Sequence, residues 1–88
     1  MSRKSRNYLD LRFRRLKVGG LYRWDRQDVC IPREADVGYF WADLFWFDCG
    51  RWNRSCSLHM VYAEQVGRRL TKKEVREFRR LVKKRKRF

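Results

Sequence analysis

The segment Tyr39-Phe-Trp-Ala-Asp-Leu-Phe-Trp-Phe47 limits the fold more than any other part of the chain. It is aromatic or apolar throughout except for Asp43. Aromatic residues favour strands, and successive strand side chains alternate between faces. Phe40, Ala42, Leu44 and Trp46 then share one face, and Trp41, Asp43, Phe45 and Phe47 share the other. A strand apolar on both sides is covered on both, or it leaves one side open for binding.

Shorter signals surround it. Asp48–Asn53 reads as a hairpin loop, and Ser55–Tyr62 as the returning strand, with Cys56, Leu58, Met60 and Tyr62 on one side. Upstream, Leu21, Tyr22 and Trp24 form a short strand, and Asp25–Asp28 a turn. Val29–Ile31 form a second short strand. Pro32 ends that strand or marks a sheet edge, and Glu34–Gly38 is a loop. Tyr8–Val18 fits two patterns: Leu9, Phe13 and Leu16 have helical spacing, and Leu9, Leu11 and Phe13 alternate. Gly19-Gly20 stops either one, as a helix cap or as a turn.

The C-terminal segment predicts a helix. Thr71-Lys-Lys-Glu74 is a capping box flanked by Leu70 and Val75 at the staple positions. Val75, Phe78, Leu81 and Val82 make one narrow apolar stripe. Glu77 is within reach of Lys73 or Arg80. The expected fold class is α+β, a small antiparallel sheet or open barrel of four to five short strands closed by this amphipathic basic helix. The chain reads as a single domain over 1–88: a flexible basic tail at 1–7, a mainly β core at 8–67 and the basic helix at 68–88.

Charge supplies the functional signal. The 88 residues hold 24 Lys and Arg against 10 Asp and Glu, a net +14. That exceeds the roughly 2–8 that solubility asks of a small domain. It is distributed as +7 over residues 1–26, −3 over 27–67 and +10 over 68–88. The aromatic middle is too apolar for a disordered chain, and no long apolar run suggests a membrane span. Arg12, Arg14, Arg15 and Lys17 interrupt any apolar signal core, so an intracellular protein is expected.

The candidate site is a cationic surface that meets phosphates. On the helix it comprises Arg69, Lys72, Lys73, Arg76, Arg79, Arg80, Lys83, Lys84 and Arg87. Arg12, Arg14, Arg15 and Lys17 extend it near the N-terminus. Like charges crowded this way destabilise a helix unless a polyanion relieves them, and each neutralised phosphate releases counterions. Lys83–Arg87 also has the composition of a nuclear targeting run. Trp24, Tyr39, Trp41, Trp46 and Trp52 could stack unpaired bases. The entropy of ordering so short a chain demands most of them in the core. Trp52, between Arg51 and Arg54 in the expected loop, is the exception taken as an aromatic contact.

Other chemistries find little support. Cys30, Cys49 and Cys56 are odd in number and form no CxxC pair, so free thiols are expected. With His59 they supply four metal-ligand types, but only Cys56 and His59 are close in sequence. In a strand those two point to opposite faces. No nucleophile pattern accompanies the single His, and most acids fall at turns. The expectation is a non-enzymatic nucleic-acid-binding protein without cofactor, metal, membrane or small-molecule substrate. RNA or a ribonucleoprotein is favoured over DNA, because basic ends fit an irregular polyanion. The alternative is a small inhibitor or regulator of the mobile-element type, such as an anti-CRISPR or RNA polymerase regulator, docked on a nucleic-acid-handling enzyme. A metal-free ribonuclease is third.

Overall fold

A computed structural model describes residues 8–11 and 14–85. The expected tail at 1–7, and Arg12 and Arg87 of the expected site, lie outside the described residues. The fold is α+β, with strands β1 (Tyr8–Leu11), β2 (Arg14–Lys17), β3 (Tyr22–Trp24), β4 (Asp28–Asp36), β5 (Tyr39–Trp46), β6 (Arg51–His59) and β7 (Val66–Arg69). A 3₁₀ helix spans Met60–Gln65, and α1 spans Lys72–Arg85. β1 and β2 pair only with each other, and the other five form an antiparallel sheet of order β6-β5-β4-β3-β7. The sheet is open, not a barrel, because β6 and β7 end it and do not pair. No helix among the described residues is long and apolar enough to cross a membrane.

The two-faced character of β5 is met by two covers. On one side Phe40, Ala42 and Leu44 pack with Cys30, Tyr22 and Trp24 against Leu9, Leu11 and Leu16 of the β1–β2 pair. On the other, Phe45 packs with Val29 and Ile31 of β4 against Phe78 of α1. The ambiguous segment 8–18 is thus a β pair. Alternation puts Leu9, Leu11 and Leu16 on one buried side, which a single helix stripe would not do for Leu9 and Leu11 together. Gly19 then turns the chain with φ +81°, a conformation that favours glycine.

Three expectations on the central strands need correction. β4 runs through Pro32 to Asp36, so Pro32 does not end it. The β4–β5 register slips just past it, between Pro32 and Glu34, and its carbonyl accepts the Gly19 amide beyond the end of β3. The β5–β6 turn is only Phe47–Gly50, closed by a 2.8 Å bond from the Gly50 amide to the Trp46 carbonyl. Residues 51–53 therefore belong to β6 and not to a loop, and the chain past His59 coils into the 3₁₀ helix and does not stay extended. The segment before the helix is also extended: Val66–Arg69 is β7, beside β3.

The capping box forms as expected. The Glu74 amide donates to Thr71 Oγ1 at 3.2 Å, and the Thr71 amide donates to Glu74 Oε1 at 2.8 Å. This satisfies two amides that the first helical turn leaves without partners.

Candidate nucleic-acid interface

Leu70 anchors the start of α1, donating its amide to the Leu21 carbonyl at 2.9 Å. The helix then crosses the sheet on Phe78, whose ring meets Phe45 at 5.3 Å and Trp52 at 5.8 Å. Phe78 is buried, and Val75, Leu81 and Val82 are half-buried against the same cluster. Lys72, Lys73, Arg76, Arg79, Arg80, Lys83 and Lys84 are exposed.

Helical spacing splits these cations into two rows. Lys72, Arg76, Arg79 and Lys83 recur at i, i+4, i+7 and i+11, beside Val75. Lys73, Arg80 and Lys84 form the second row, one step around the helix. The first row borders a cleft of about 620 Å³. Arg69, Lys72, Arg76 and Arg79 stand around it, with Gly19, Gly20 and Leu21 opposite. Gly20 allows the close packing of this wall: a Cβ there would lie 3.1 Å from the Tyr22 ring and 3.2 Å from the Lys17 carbonyl oxygen. Among the described residues, no carboxylate lies within ion-pair distance of Lys72, Arg76 or Arg79, and Glu77 pairs with neither Lys73 nor Arg80.

Several carboxylates are engaged elsewhere. Glu74 takes Arg68 at 2.8 Å and Arg23 at 3.1 Å. The Arg68 hydrogen bonds, then the Thr71 amide and Arg23, hold its pKa far below the usual carboxylate range. Asp43 is buried on β5, where β6 bulges at Arg54 and Ser55. Its Oδ1 accepts the Ser55 amide at 2.7 Å, and its Oδ2 accepts Arg33 Nε at 2.9 Å. Burial alone would raise its pKa, but the Ser55 amide, the Arg33 bond and the Arg33 and Arg54 charges together lower it. Ser55 sits at φ +49°, so the bulge that delivers its amide is a strained one.

The basic residues of the β1–β2 pair are placed differently. That pair covers the opposite side of the sheet from α1. The half-buried Arg14 guanidinium donates to the Val66 carbonyl and, at 3.2 Å, to the Gly67 carbonyl. Arg15 lies 3.3 Å from Asp10 and over the Tyr8 ring at 4.5 Å. Only Lys17 of the described three is exposed without such a partner among the described residues.

Trp52 is not in a loop. It lies in β6 opposite Phe45, half-buried at 5.0 Å from that ring, with the Arg54 guanidinium 4.1 Å above it. Trp24 is buried, and Trp46 packs on the hairpin-side core. Cys30 is buried, which pushes its thiol up to about 12, whereas Cys49 is exposed. All three cysteines are free. His59 caps the 3₁₀ helix, its Nδ1 accepting the Val61 amide at 3.3 Å. Among the described residues no three of His, Cys, Asp and Glu stand together as a metal site would need. Comparison with known proteins gives no matching family, no matching curated protein and no matching solved structure.

Sequence reasoning missed Arg33 and Arg54 as members of the charged surface. The Asp43 carboxylate inside an apolar run was the one signal that could have drawn attention to them.

Proposed function

We propose that this chain is a non-enzymatic nucleic-acid-binding protein that meets phosphates through the cleft row of α1, with RNA or a ribonucleoprotein as its target. The observation that carries this reading is the grouping of Arg69, Lys72, Arg76 and Arg79 around one cleft with no carboxylate paired to the three on α1 among the described residues. Four cations held this close repel one another, and a polyanion relieves that repulsion while releasing its own counterions. The amphipathic basic character expected of the helix has this use: Phe78 and its apolar neighbours hold α1 on the sheet, and the cations stay outward. The open cleft suits a phosphate better than an enclosed apolar ligand, since apart from Leu21, Leu70 and Val75 its walls are cations and glycine backbone.

The test combines two measurements. A pull-down from native lysate with and without nuclease separates a nucleic-acid partner from a protein partner. In parallel, replacing Arg69, Lys72, Arg76 and Arg79 with Gln keeps the fold and abolishes retention of nonspecific RNA. Retention of RNA by the folded variant, or capture of one protein unaffected by nuclease, would give the lead to the inhibitor reading.

A further inference from the structure

α1 covers only part of its side of the sheet. Following the β4–β5–β6 register, Val29, Phe45 and Trp52 make the row beneath the helix, and Ile31 and Asp43 the next. Beyond them lie Trp41 with Ser57, then Tyr39 with His59. These last two rows have the same strand parity as Phe45 and therefore share its side. Trp41 is half-buried, and Tyr39 is 47 % exposed with His59 edge-on at 5.3 Å. The two residues are about 6.6 Å apart along β5, at roughly 3.3 Å per residue.

The cleft opens toward these rows. β3 pairs Tyr22 with Cys30, so Leu21 and Gly20 continue alongside Ile31 and Pro32, and the Gly19 amide reaches the Pro32 carbonyl at 2.9 Å. The Lys72–Arg76–Arg79 row faces that line. Arg33 and Arg54 come next along the strands, sharing the single carboxylate of Asp43 while their side chains remain 44 % and 57 % exposed.

We infer that Tyr39 and Trp41 form a stacking platform for unpaired bases, reached from the cationic cleft through Arg33 and Arg54, so that the nucleic acid this protein takes is single-stranded. The inference rests on the nucleic-acid reading above and names the class of nucleic acid. Cations along one wall and partly exposed aromatic rings beside them are the two components of single-strand grooves. A duplex hides its base faces and would meet the cations alone. Glu34 lies opposite Trp41 and Asp36 opposite Tyr39, on the side away from β6. They repel phosphates there and can accept from base amino groups, which orients a strand with its backbone toward Arg54 on the β6 side. Trp52, in the row beneath α1, supports Arg54 with its ring.

The experiment is binding of the full chain to a labelled single-stranded RNA oligonucleotide and to its duplex, with Tyr39→Ala, Trp41→Ala and Trp41→Phe compared. Each Ala variant is expected to lose about 5- to 150-fold in single-strand affinity, the range for one stacked base. Trp41→Phe keeps most of it, and duplex affinity is unchanged. Tyr39 is exposed, so Tyr39→Ala tests the platform even where Trp41→Ala fails to fold. Unchanged single-strand affinity in folded Tyr39→Ala, or equal losses on both RNAs, overturns the platform and leaves the nucleic-acid reading standing. A wild-type chain that binds neither RNA overturns that reading itself.

Discussion

The two sides of the central sheet carry the same kind of residue and use it differently. On the β1–β2 side, Arg14 and Arg15 are engaged within the protein, on the Val66 and Gly67 carbonyls and on Asp10. On the α1 side, Lys72, Arg76 and Arg79 project from a helix docked by its apolar stripe and by the Glu74–Arg23 pair. An arginine that satisfies buried carbonyls is a structural donor, and one without an acceptor is available to a ligand. Net charge does not distinguish the two, and only the local partners do. The covers differ in extent as well. The β1–β2 pair and the 3₁₀ helix bury Phe40 and Leu44, with Leu58 packed against the same cluster, whereas α1 stops short of Trp41 and Tyr39.

The largest expected effect tests how α1 is held. Phe78 is the residue that joins the helix to Phe45 and Trp52. Phe78→Ala should cost about 3–5 kcal/mol in chemical denaturation, the usual loss for a buried Phe. A loss near zero would mean that α1 is not docked by this stripe, and the contrast between the two sides would fail with it.

Arg14→Met sharpens the contrast between structural and available arginines. It leaves the Val66 and Gly67 carbonyls without their donor and should cost about 1–3 kcal/mol of stability. RNA affinity, measured on the folded variant, should stay close to wild type. A stable Arg14→Met protein with impaired RNA binding would place Arg14 among the ligand contacts instead.

The smallest effect concerns pH. Glu74 ionises well below its ordinary 4.5, and Asp43 below 3.8. The folded chain then binds fewer protons than the unfolded one in acid. The stability these groups contribute is complete above about pH 5 and is lost as pH falls toward their depressed values. Glu74→Gln should therefore flatten the fall in denaturation midpoint between about pH 5 and 3. A mutant with the same acid profile as wild type would remove Glu74 as a source of that dependence.

Much of this arrangement was legible in the sequence where a local rule was decisive. The apolar run of β5, broken only by Asp43, announced a strand covered on both faces or left open on one, and Thr71 with Glu74 announced the helix start. Other features depended on partners distant in sequence. Nothing local distinguishes strand from helix at Leu9–Leu16, because both spacings occur there, and the choice falls to the sheet face those leucines must cover. Pro32 reads as a strand end until the register slip beside it is known. Trp52 reads as an exposed loop residue until a four-residue turn places it opposite Phe45. The cationic helix was legible as a surface, but not the cleft, since Gly19–Leu21 and Arg69 join α1 only through the β3–β7 pairing.

The central claim is that the cleft row of α1 meets phosphates, and the salt dependence of RNA binding tests it most directly. Affinity for single-stranded RNA should fall with log salt, and replacing Arg69, Lys72, Arg76 and Arg79 with Gln should reduce the slope by about 0.7 per lost contact, or roughly 3 units in all. The same substitutions in the outer row, Lys73, Arg80 and Lys84, should change it less. A folded cleft variant that keeps the wild-type slope would contradict the claim.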